Sequence, residues 1–358
     1  MLLFLTSTLL SAVRLALGAS CSCSATSIPI HVDALVPKDP TDMFAGLKSN
    51  ASSLRRVDAT YDIYGVFCQP EGVSSDTVQI LVHGITYTSQ YWSPPVEEFR
   101  NYSYAAFACT RGLPSLAIDS LGVGLSTRPA NASDVQFPTA SQAVSRLARH
   151  LKTTSILPGV RAFKNVVGIG HSAGSATLNF GAISEGRDSP FDALVLTGLL
   201  SVAPGALPAV NSLGVPAADV EPLRWAGLDP NYITVTDRSF FYPPNTNSFS
   251  PRMLKFDNFT KDVGMTGIFA QAPVTSLGNQ FTGPVVEIVG SEDQLFCVGT
   301  RCADVPTLIA SERVLWPDAK SFDVVVVDGS GHDLNLDFFA LKAFDTFVGF
   351  VQQFTSGT

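Results

Sequence analysis

Six short runs of apolar residues recur along the chain, and segments of helical periodicity lie between them. A continuous apolar run of this length predicts a strand that is buried on both faces. The predicted strands cover residues 78–82, 114–118, 165–169, 193–196, 284–289 and 323–327. In 140–151 and 337–351, apolar residues recur three or four positions apart, which predicts amphipathic helices. Such strands alternating with helices indicate the α/β class, with a mostly parallel central sheet covered by helices on both faces.

The alternation stops between about residues 204 and 281. This stretch is rich in proline, asparagine and aromatic residues, and it is too long for a bare loop. We therefore predict one α/β domain over 20–358, with a cap inserted at about 204–281. The aromatic residues of the insertion indicate either a surface for an apolar substrate or the core of the insertion itself.

Composition and charge narrow the class of protein. Hydrophobic residues make up 46% of the 358 residues and charged residues 15%, as in a well-packed globular protein. The net charge of -8 argues against the basic face that a nucleic-acid-binding protein presents. We therefore expect no nucleic-acid partner.

Residues 1–19 combine an apolar run with small residues at its end, which is the pattern of a secretory signal peptide. We expect cleavage after Gly18 or Ala19. A membrane anchor is the alternative, but the apolar run is short and Arg14 interrupts it, so we expect no stable membrane insertion. The leader predicts a secreted, extracellular protein.

Glycosylation sequons and cysteines agree with export through an oxidising compartment. The sequons are at Asn50, Asn101, Asn131 and Asn258. The cysteines, an even number, are Cys21, Cys23, Cys68, Cys109, Cys297 and Cys302. The last two are five residues apart and can close a small loop.

The other four cysteines leave alternatives open. Cys21 and Cys23 are too close in the chain to bridge each other without strain. If every cysteine pairs, these two join Cys68 and Cys109 in one of two ways. Alternatively, some of the four stay free and buried, which cysteine tolerates.

The segment 165–177, NVVGIGHSAGSAT, ends a predicted strand in the pattern Gly-x-Ser-x-Gly. In a sharp turn from strand to helix, the central serine adopts a strained backbone that presents its hydroxyl, and tiny neighbours two positions away avoid collisions. Those neighbours are Gly170 and Gly174 here, so Ser172 is the candidate nucleophile. An ordinary turn is the alternative, because the pattern also arises by chance.

A serine needs a base to take its proton, and the base needs an acid to orient it. His332 lies in a glycine-rich loop after the last predicted strand, where a positioned imidazole belongs. The other histidines are His31, His83, His150 and His171. Asp293, three residues beyond a strand end, is the candidate acid. Glu292 is the backup, and Asp333 is weaker because adjacent residues on a turn usually point apart.

An oxyanion hole requires two backbone N–H groups that face the developing charge. Ala173, which follows the candidate nucleophile, supplies one. A second lies after an earlier strand, in the sequence His83-Gly84, where the glycine permits close approach. We choose the amide of Ile85, with Thr86 as the alternative. This set implies no metal and no organic cofactor.

Five motifs occur in order: HGIT at 83–86, DSLGVGLS at 119–126, GHSAG at 170–174, GSED at 290–293 and GSGHD at 329–333. With the order Ser172, Asp293, His332, they resemble the α/β-hydrolase superfamily, in the branch with an HG oxyanion motif and a cap after the sixth strand. Within it, the chain resembles secreted fungal α/β-hydrolases. Some relatives are excluded by the sharp strand-to-helix turn, called the elbow, that carries Ser172. Epoxide hydrolases and haloalkane dehalogenases have motifs similar to DSLGVGLS but use an aspartate at the elbow. Proline iminopeptidases usually carry tryptophan after the nucleophile, where this chain has Ala173.

The leading functional prediction is a secreted serine hydrolase. It would cleave a carboxylic ester or lactone of a small to medium apolar or aromatic substrate through an acyl-enzyme. A lyase, cyclase or acyltransferase acting on a specialised metabolite with the same triad is the alternative, and a non-catalytic binding protein is a third. The sequence leaves the substrate and the oligomeric state open.

Overall fold

Eight of the described strands form one central sheet. The computed structural model describes residues 20–42, 51–157, 159–201, 214–271 and 276–357. Its strands are β1 (Cys21–Pro37), β2 (Leu54–Pro70), β3 (Thr77–Val82), β4 (Ser115–Ile118), β5 (Asn165–His171), β6 (Ala193–Thr197), β7 (Val215–Pro216), β8 (Tyr232–Thr234), β9 (Gly264–Met265), β10 (Val285–Gly290) and β11 (Phe322–Val327). The sheet order is β1-β2-β4-β3-β5-β6-β10-β11, with parallel neighbours from β4 to β11 and antiparallel pairing of β1 with β2 and of β2 with β4. The predicted α/β fold is therefore confirmed, and each predicted strand is present within one or two residues.

The helices in the described ranges connect these strands. They are α1 (Tyr104–Thr110), α2 (Phe137–Thr153), α3 (Ala173–Glu185), α4 (Ala217–Val220), α5 (Pro222–Trp225), α6 (Pro251–Thr260), α7 (Thr266–Ala270), α8 (Val305–Arg313) and α9 (Ala340–Ser356). The predicted helix 140–151 lies inside α2. The prediction that a helix begins at 337 is wrong by three residues, because the Asp337 carboxylate accepts hydrogen bonds from the amides of Gly331 and Phe339 and belongs to the preceding loop.

Helices cover both faces of the sheet, as a sheet of buried parallel strands requires. Along β3, the side chains of Val78, Ile80 and Val82 belong to the apolar cluster that includes residues of α2 and α3. The side chain of Leu81 belongs to the cluster on the opposite face, with residues of α1 and α9. Burial on both faces explains why this strand has a continuous apolar run.

The antiparallel hairpin of β1 and β2 was not predicted. Its buried residues alternate with exposed ones, as at Ile28, Ile30 and Val32 in β1, so it lacks a continuous apolar run. One face of the hairpin is anchored to α2, where the side chain of Gln142 exchanges two hydrogen bonds with the backbone of Asp33. Alternation of this kind is typical of a sheet with one solvated face.

The structure contains three disulfides. Cys23 pairs with Cys68, directly opposite on the β1–β2 hairpin. Cys21 pairs with Cys109 of α1, which is one of the two arrangements left open by the sequence. The third disulfide, Cys297–Cys302, closes the small loop that follows β10.

Residues 214–271, hereafter the 214–271 segment, lie between β6 and β10. They contain the small antiparallel sheet β7-β8-β9, which was not predicted, and the helices α4 to α7. Trp225 and Tyr232 pack into the core cluster on the α2 and α3 face, and Tyr242 and Phe249 pack into the cluster on the other face. These aromatic residues therefore share the core of the sheet. That the segment acts as a cap stays a prediction.

The export signals have no test in the fold. The predicted signal peptide 1–19 and the sequon at Asn50 lie outside the described residues. Asn101 and Asn131 are exposed, and Asn258 is half-buried with its Oδ1 accepting a hydrogen bond from the amide of Arg238 at 3.0 Å. Within the described ranges, no helix has the length and apolar character needed to cross a bilayer.

Candidate active site

Four loops meet at one edge of the sheet. They follow β3, β5, β10 and β11, which are parallel, so their carboxyl ends lie on the same side. In open α/β sheets, ligands bind at this edge. The four loops carry the HG motif, Ser172, Asp293 and His332 respectively.

Ser172 occupies the sharp turn between β5 and α3. Its φ of 50° and ψ of -115° are unusual for a residue with a side chain and cost on the order of 1–3 kcal/mol. The turn needs glycine on both sides. A Cβ on Gly170 would lie 2.5 Å from the Cα of Ser175, and a Cβ on Gly174 would lie 2.2 Å from the carbonyl oxygen of Val82. The two glycines therefore permit this conformation, because any larger residue at either position would collide with the backbone.

The start of α3 adds free donors to this turn. Because Ser172 is the N-cap, the first amides of the helix, including that of Ala173, have no partner within the helix. The aligned peptide dipoles make this end of the helix attractive to negative charge. A backbone donor thus lies immediately after the serine.

His332 and Asp293 form a hydrogen-bonded pair. Nδ1 of His332 lies 2.8 Å from Oδ2 of Asp293, and both side chains are buried. The other carboxylate oxygen, Oδ1, accepts hydrogen bonds from the amides of Leu295 at 2.8 Å and Phe296 at 3.1 Å. These contacts commit Nδ1 to the acid and leave Nε2 as the imidazole nitrogen that can exchange a proton.

Electrostatics stabilise the charged form of this pair. Burial alone would lower the pKa of His332, but the negative charge of Asp293 and its hydrogen bond outweigh burial, so the pKa is raised above its usual value. Burial would raise the pKa of Asp293, but the charge and hydrogen bond of His332 and the two backbone amides hold it below its usual value. An imidazolium that forms at His332 is therefore stabilised.

Glycines bring the loops together. A Cβ on Gly198 would lie 3.1 Å from Cε1 of His332, and a Cβ on Gly290 would lie 2.1 Å from the carbonyl oxygen of Ser330. The histidine loop therefore packs directly on the ends of β6 and β10.

A small apolar cavity adjoins the serine. It has a volume of about 70 Å³, and Ser172 is the one polar residue among those that line it within the described ranges. Phe241 and Phe296 line the cavity and also pack against the ring of His332, with centroid separations of 5.5 Å and 5.9 Å. The cavity therefore joins the serine to the surroundings of the imidazole. Ala173 and Ile85 line it as well.

The HG motif forms a tight turn beside the cavity. The amide of Tyr87 donates to the carbonyl of Gly84 at 3.3 Å, and Thr86 has a φ of 63°. His83 fixes the start of the turn, because its Nε2 accepts from the amide of Ser120 at 2.9 Å and its Nδ1 lies 2.7 Å from the carbonyl oxygen of Gly84. Burial lowers the pKa of His83, so this ring stays neutral and structural.

The backup acids lie elsewhere. Glu292 is exposed, whereas Asp293 is 1% exposed. The carboxylate of Asp333 accepts a hydrogen bond from the hydroxyl of Tyr87. Of the three candidate acids, Asp293 is the one whose hydrogen bond to His332 the structure contains.

A second group of buried polar residues lies beside His332. We call it the Tyr87 cluster, and it consists of Tyr87, Arg238, Tyr242, Asp257 and Asp333. No sequence motif indicated that these side chains meet. The hydroxyl of Tyr87 donates to Asp333 and lies 3.2 Å from Oδ2 of Asp257. The hydroxyl of Tyr242 donates to the same Oδ2 at 3.2 Å. The guanidinium of Arg238 lies 3.8 Å from the centre of the Tyr87 ring, with Nε 3.8 Å from Oδ1 of Asp257. Three of the five residues come from the 214–271 segment.

Burial sets the charge of this cluster. It raises the pKa of Asp257 to about 7 and that of Asp333 to about 6, although Arg238 opposes both shifts.

His171, inside the serine motif, stacks on Tyr91 at 4.3 Å and lies 3.4 Å from Asp333. Burial lowers the pKa of His171 well below its usual value, so it stays neutral.

Comparisons with known proteins agree with this architecture. A model of the alpha/beta hydrolase family matches residues 79–342. A thermophilic esterase from Thermogutta terrifontis with malate bound is similar in structure, with a TM-score of 0.52, 14% identity and coverage of 91% of this chain and 99% of that one. So is an esterase from Exiguobacterium antarcticum, with a TM-score of 0.54, 17% identity and coverage of 82% and 96%.

A point mutant of an epoxide hydrolase from Solanum tuberosum is also similar, with a TM-score of 0.53, 15% identity and coverage of 82% of this chain and 96% of that one. No curated protein matches the sequence. At these identities, the solved structures show the fold alone. Because the family model covers more than half of the residues and the fold agrees, the chain belongs to the alpha/beta hydrolase family.

Proposed function

We propose that the protein is a serine hydrolase that cleaves a carboxylic ester or lactone through an acyl-enzyme. The observation that carries this proposal is the hydrogen-bonded pair of His332 and Asp293 at the sheet edge where the strained turn holds Ser172. A serine is a weak nucleophile until an oriented base takes its proton. The raised pKa of His332 supports a base that holds this proton at little cost.

In the proposed reaction, Oγ of Ser172 attacks the acyl carbonyl while Nε2 of His332 takes the hydroxyl proton. The amides of Ala173 and Ile85 donate to the oxyanion. Ile85 is favoured over Thr86 because it is the one of the two that lines the cavity. His332 then gives the proton to the leaving oxygen as the ester bond breaks. A water molecule, deprotonated by His332, attacks the acyl-enzyme. His332 then returns the proton to Oγ of Ser172 as the bond to the acyl group breaks and the acid is released.

The cavity supports a short, uncharged acyl group. Its lining offers no charged side chain within the described residues, and burying an unpaired carboxylate there would cost several kcal/mol. An apolar cavity of roughly 150 Å³ admits benzene, so a space of about 70 Å³ fits an acyl chain of about two to four carbons. This narrows the apolar or aromatic substrate class predicted from sequence on the acyl side.

The residue at the elbow supports ester rather than epoxide chemistry. Epoxide hydrolases of this superfamily resemble the chain in fold but use an aspartate there, and this chain has Ser172. The leader, the sequons and the disulfides support secretion as part of the proposal.

A chain-length series of p-nitrophenyl esters from acetate to octanoate tests the proposal. We expect kcat/KM to be highest for acetate to butyrate and to fall at least tenfold by octanoate. Ser172→Ala should keep the fold and lose this activity. Mass analysis of the products separates hydrolysis, which adds one water, from cyclisation or transfer. A folded wild-type protein that turns over none of these esters would contradict the proposal.

A further inference from the structure

The turn from Gly84 to Tyr87 carries the second proposed oxyanion donor, and contacts from elsewhere in the chain stabilise it. Thr86 occupies the third position of the turn closed by Tyr87 and Gly84, with a φ of 63°. Glycine usually fills this position, and a β-branched residue there is a true outlier. Such a conformation persists only where the surroundings over-determine it. The contacts of Thr86 therefore matter more than its sequence motif.

Those contacts come from the 214–271 segment. The carbonyl oxygen of Thr86 accepts a hydrogen bond from Nη2 of Arg238 and another from the amide of Asp262 at 2.8 Å. The backbone of Gly264 packs so closely on the turn that a Cβ there would lie 2.2 Å from Cγ1 of Ile85. The 214–271 segment thus contacts the turn at two points, the carbonyl of Thr86 and the side chain of Ile85.

Arg238 makes several other contacts inside the protein. It is fully buried, and the central carbon of its guanidinium lies 3.8 Å from the centre of the Tyr87 ring. Among the described residues, its Nε and Nη1 have no hydrogen-bond partner, so Nη2 is the guanidinium nitrogen that holds the turn. The carboxyl group of Asp257 faces the guanidinium, with Oδ1 3.8 Å from Nε. The amide of the arginine donates to Oδ1 of Asn258, which fixes its backbone to α6. A planar guanidinium can stack and donate at the same time, which an ammonium cannot do.

We propose that Arg238 is a positioning residue that clamps the Ile85–Thr86 turn and thereby aims the Ile85 amide at the oxyanion. The clamp is a property of the fold, and its effect on catalysis rests on the proposed function. The arginine touches no reacting atom. It acts by holding the Thr86 carbonyl, so its loss affects the transition state, where the oxyanion forms, more than substrate binding.

The test compares Arg238→Lys with the matched control Arg252→Lys. Arg252 lies on α6, is 76% exposed and pairs with Glu98, away from the turn. In Arg238→Lys, we expect hydrogen exchange to rise at least tenfold in the peptide that contains Tyr87 and in the peptide that contains Asp262. We also expect kcat to fall about tenfold with KM changed less than twofold. Arg252→Lys should match the wild type in both measurements.

Unchanged exchange at both peptides in a folded Arg238→Lys variant would overturn the clamp. A rise in KM with kcat unchanged would overturn its role in aiming the Ile85 amide. If Arg238→Lys does not fold, Asp257→Asn replaces it. This variant keeps the shape of the side chain and removes the charge beside Arg238, and it should raise exchange at the same two peptides. A wild type that cleaves no ester would end the proposed function, while the exchange measurement would still decide the clamp.

Discussion

Ser172 and Thr86 are the two described residues other than glycine with a positive φ. Ser172 lines the cavity, and Thr86 follows Ile85, which also lines it. The turn at Ser172 is permitted by its own neighbours, since Gly170 and Gly174 leave room where a Cβ would collide with backbone. The turn at Thr86 depends on two donors that are distant along the chain, Arg238 at a separation of 152 residues and Asp262 farther still. Strain at an active site can therefore be held locally or from a distance.

The difference has a practical consequence. A turn stabilised by neighbouring residues can be recognised as a motif in the sequence, and its conformation depends little on the rest of the chain. A turn stabilised by a distant element is only as stable as that element. The turn at Thr86, with the proposed oxyanion donor, should thus respond to changes in the 214–271 segment, and the turn at Ser172, the proposed nucleophile, should not.

The largest expected effect concerns Asp293, the proposed acid that orients His332. Asp293→Asn keeps an acceptor for the amides of Leu295 and Phe296 but removes the charge that fixes the tautomer of His332. We expect kcat to fall by about 10³–10⁴-fold in steady-state ester hydrolysis. Glu292→Gln is the matched control, since Glu292 is exposed, and it should leave kcat unchanged. Equal losses in the two variants would reject Asp293 as the acid.

The next effect tests whether the elbow is held by its own glycines. Gly174→Ala would place a Cβ 2.2 Å and 2.6 Å from the carbonyl oxygens of Val82 and His83, so β3 or α3 must move. We expect the free energy of unfolding to fall by about 3 kcal/mol in urea titrations.

Gly181→Ala is the control on the same helix. Its Cβ would meet Oγ of Ser145 at 3.6 Å, an ordinary contact, and alanine favours the helix by up to about 1 kcal/mol. A loss of stability in the control as large as in Gly174→Ala would mean that α3 tolerates no side chain anywhere, and the argument for the elbow would fail.

The pH dependence of activity follows from the raised pKa of His332. In the proposed mechanism the neutral imidazole is the base, so kcat/KM should fall about tenfold per pH unit below that pKa. Because Asp293 raises the pKa above the ordinary 6.5, we expect the midpoint of the acid limb above pH 6.5. In Asp293→Asn, burial remains and the opposing charge is gone, so the midpoint should move to lower pH. An unmoved midpoint in that variant would contradict the pairing.

The smallest effect concerns the turn held from a distance. In Thr86→Gly, relief of backbone strain is offset by the lost burial of a methyl group, so the free energy of unfolding should change by less than about 1 kcal/mol. Because glycine adopts a positive φ without strain, the turn then depends less on the hydrogen bond from Arg238. Arg238→Lys should lower kcat by a smaller factor in the Thr86→Gly background than in the wild type. An undiminished loss in the double variant would separate Arg238 from the strain at Thr86.

The sequence was sufficient for features that depend on neighbouring residues. The continuous apolar runs predicted the buried parallel strands, and the glycines around Ser172 predicted its turn. Motif order placed Asp293 and His332 on loops at the same sheet edge, where the structure joins them by a hydrogen bond. Their catalytic roles stay predictions that the experiments above address.

Features formed by residues that are distant along the chain were not predicted from the sequence. The β1–β2 hairpin alternates buried and exposed positions, and its register is set by pairing along the full length of both strands. Arg238 and Asp257 belong to no motif, and they acquire neighbours only when the 214–271 segment folds onto the HG turn. Contacts of that kind depend on tertiary packing, which a local pattern does not encode.

The most direct test of the central claim is labelling of the purified protein with a fluorophosphonate probe, followed by peptide mass mapping. If Ser172 is an activated nucleophile, the folded protein should carry the label on Ser172. Heat-denatured protein and folded Ser172→Ala should carry none at that peptide. A folded wild-type protein that stays unlabelled at Ser172, or is labelled equally after denaturation, would contradict the account.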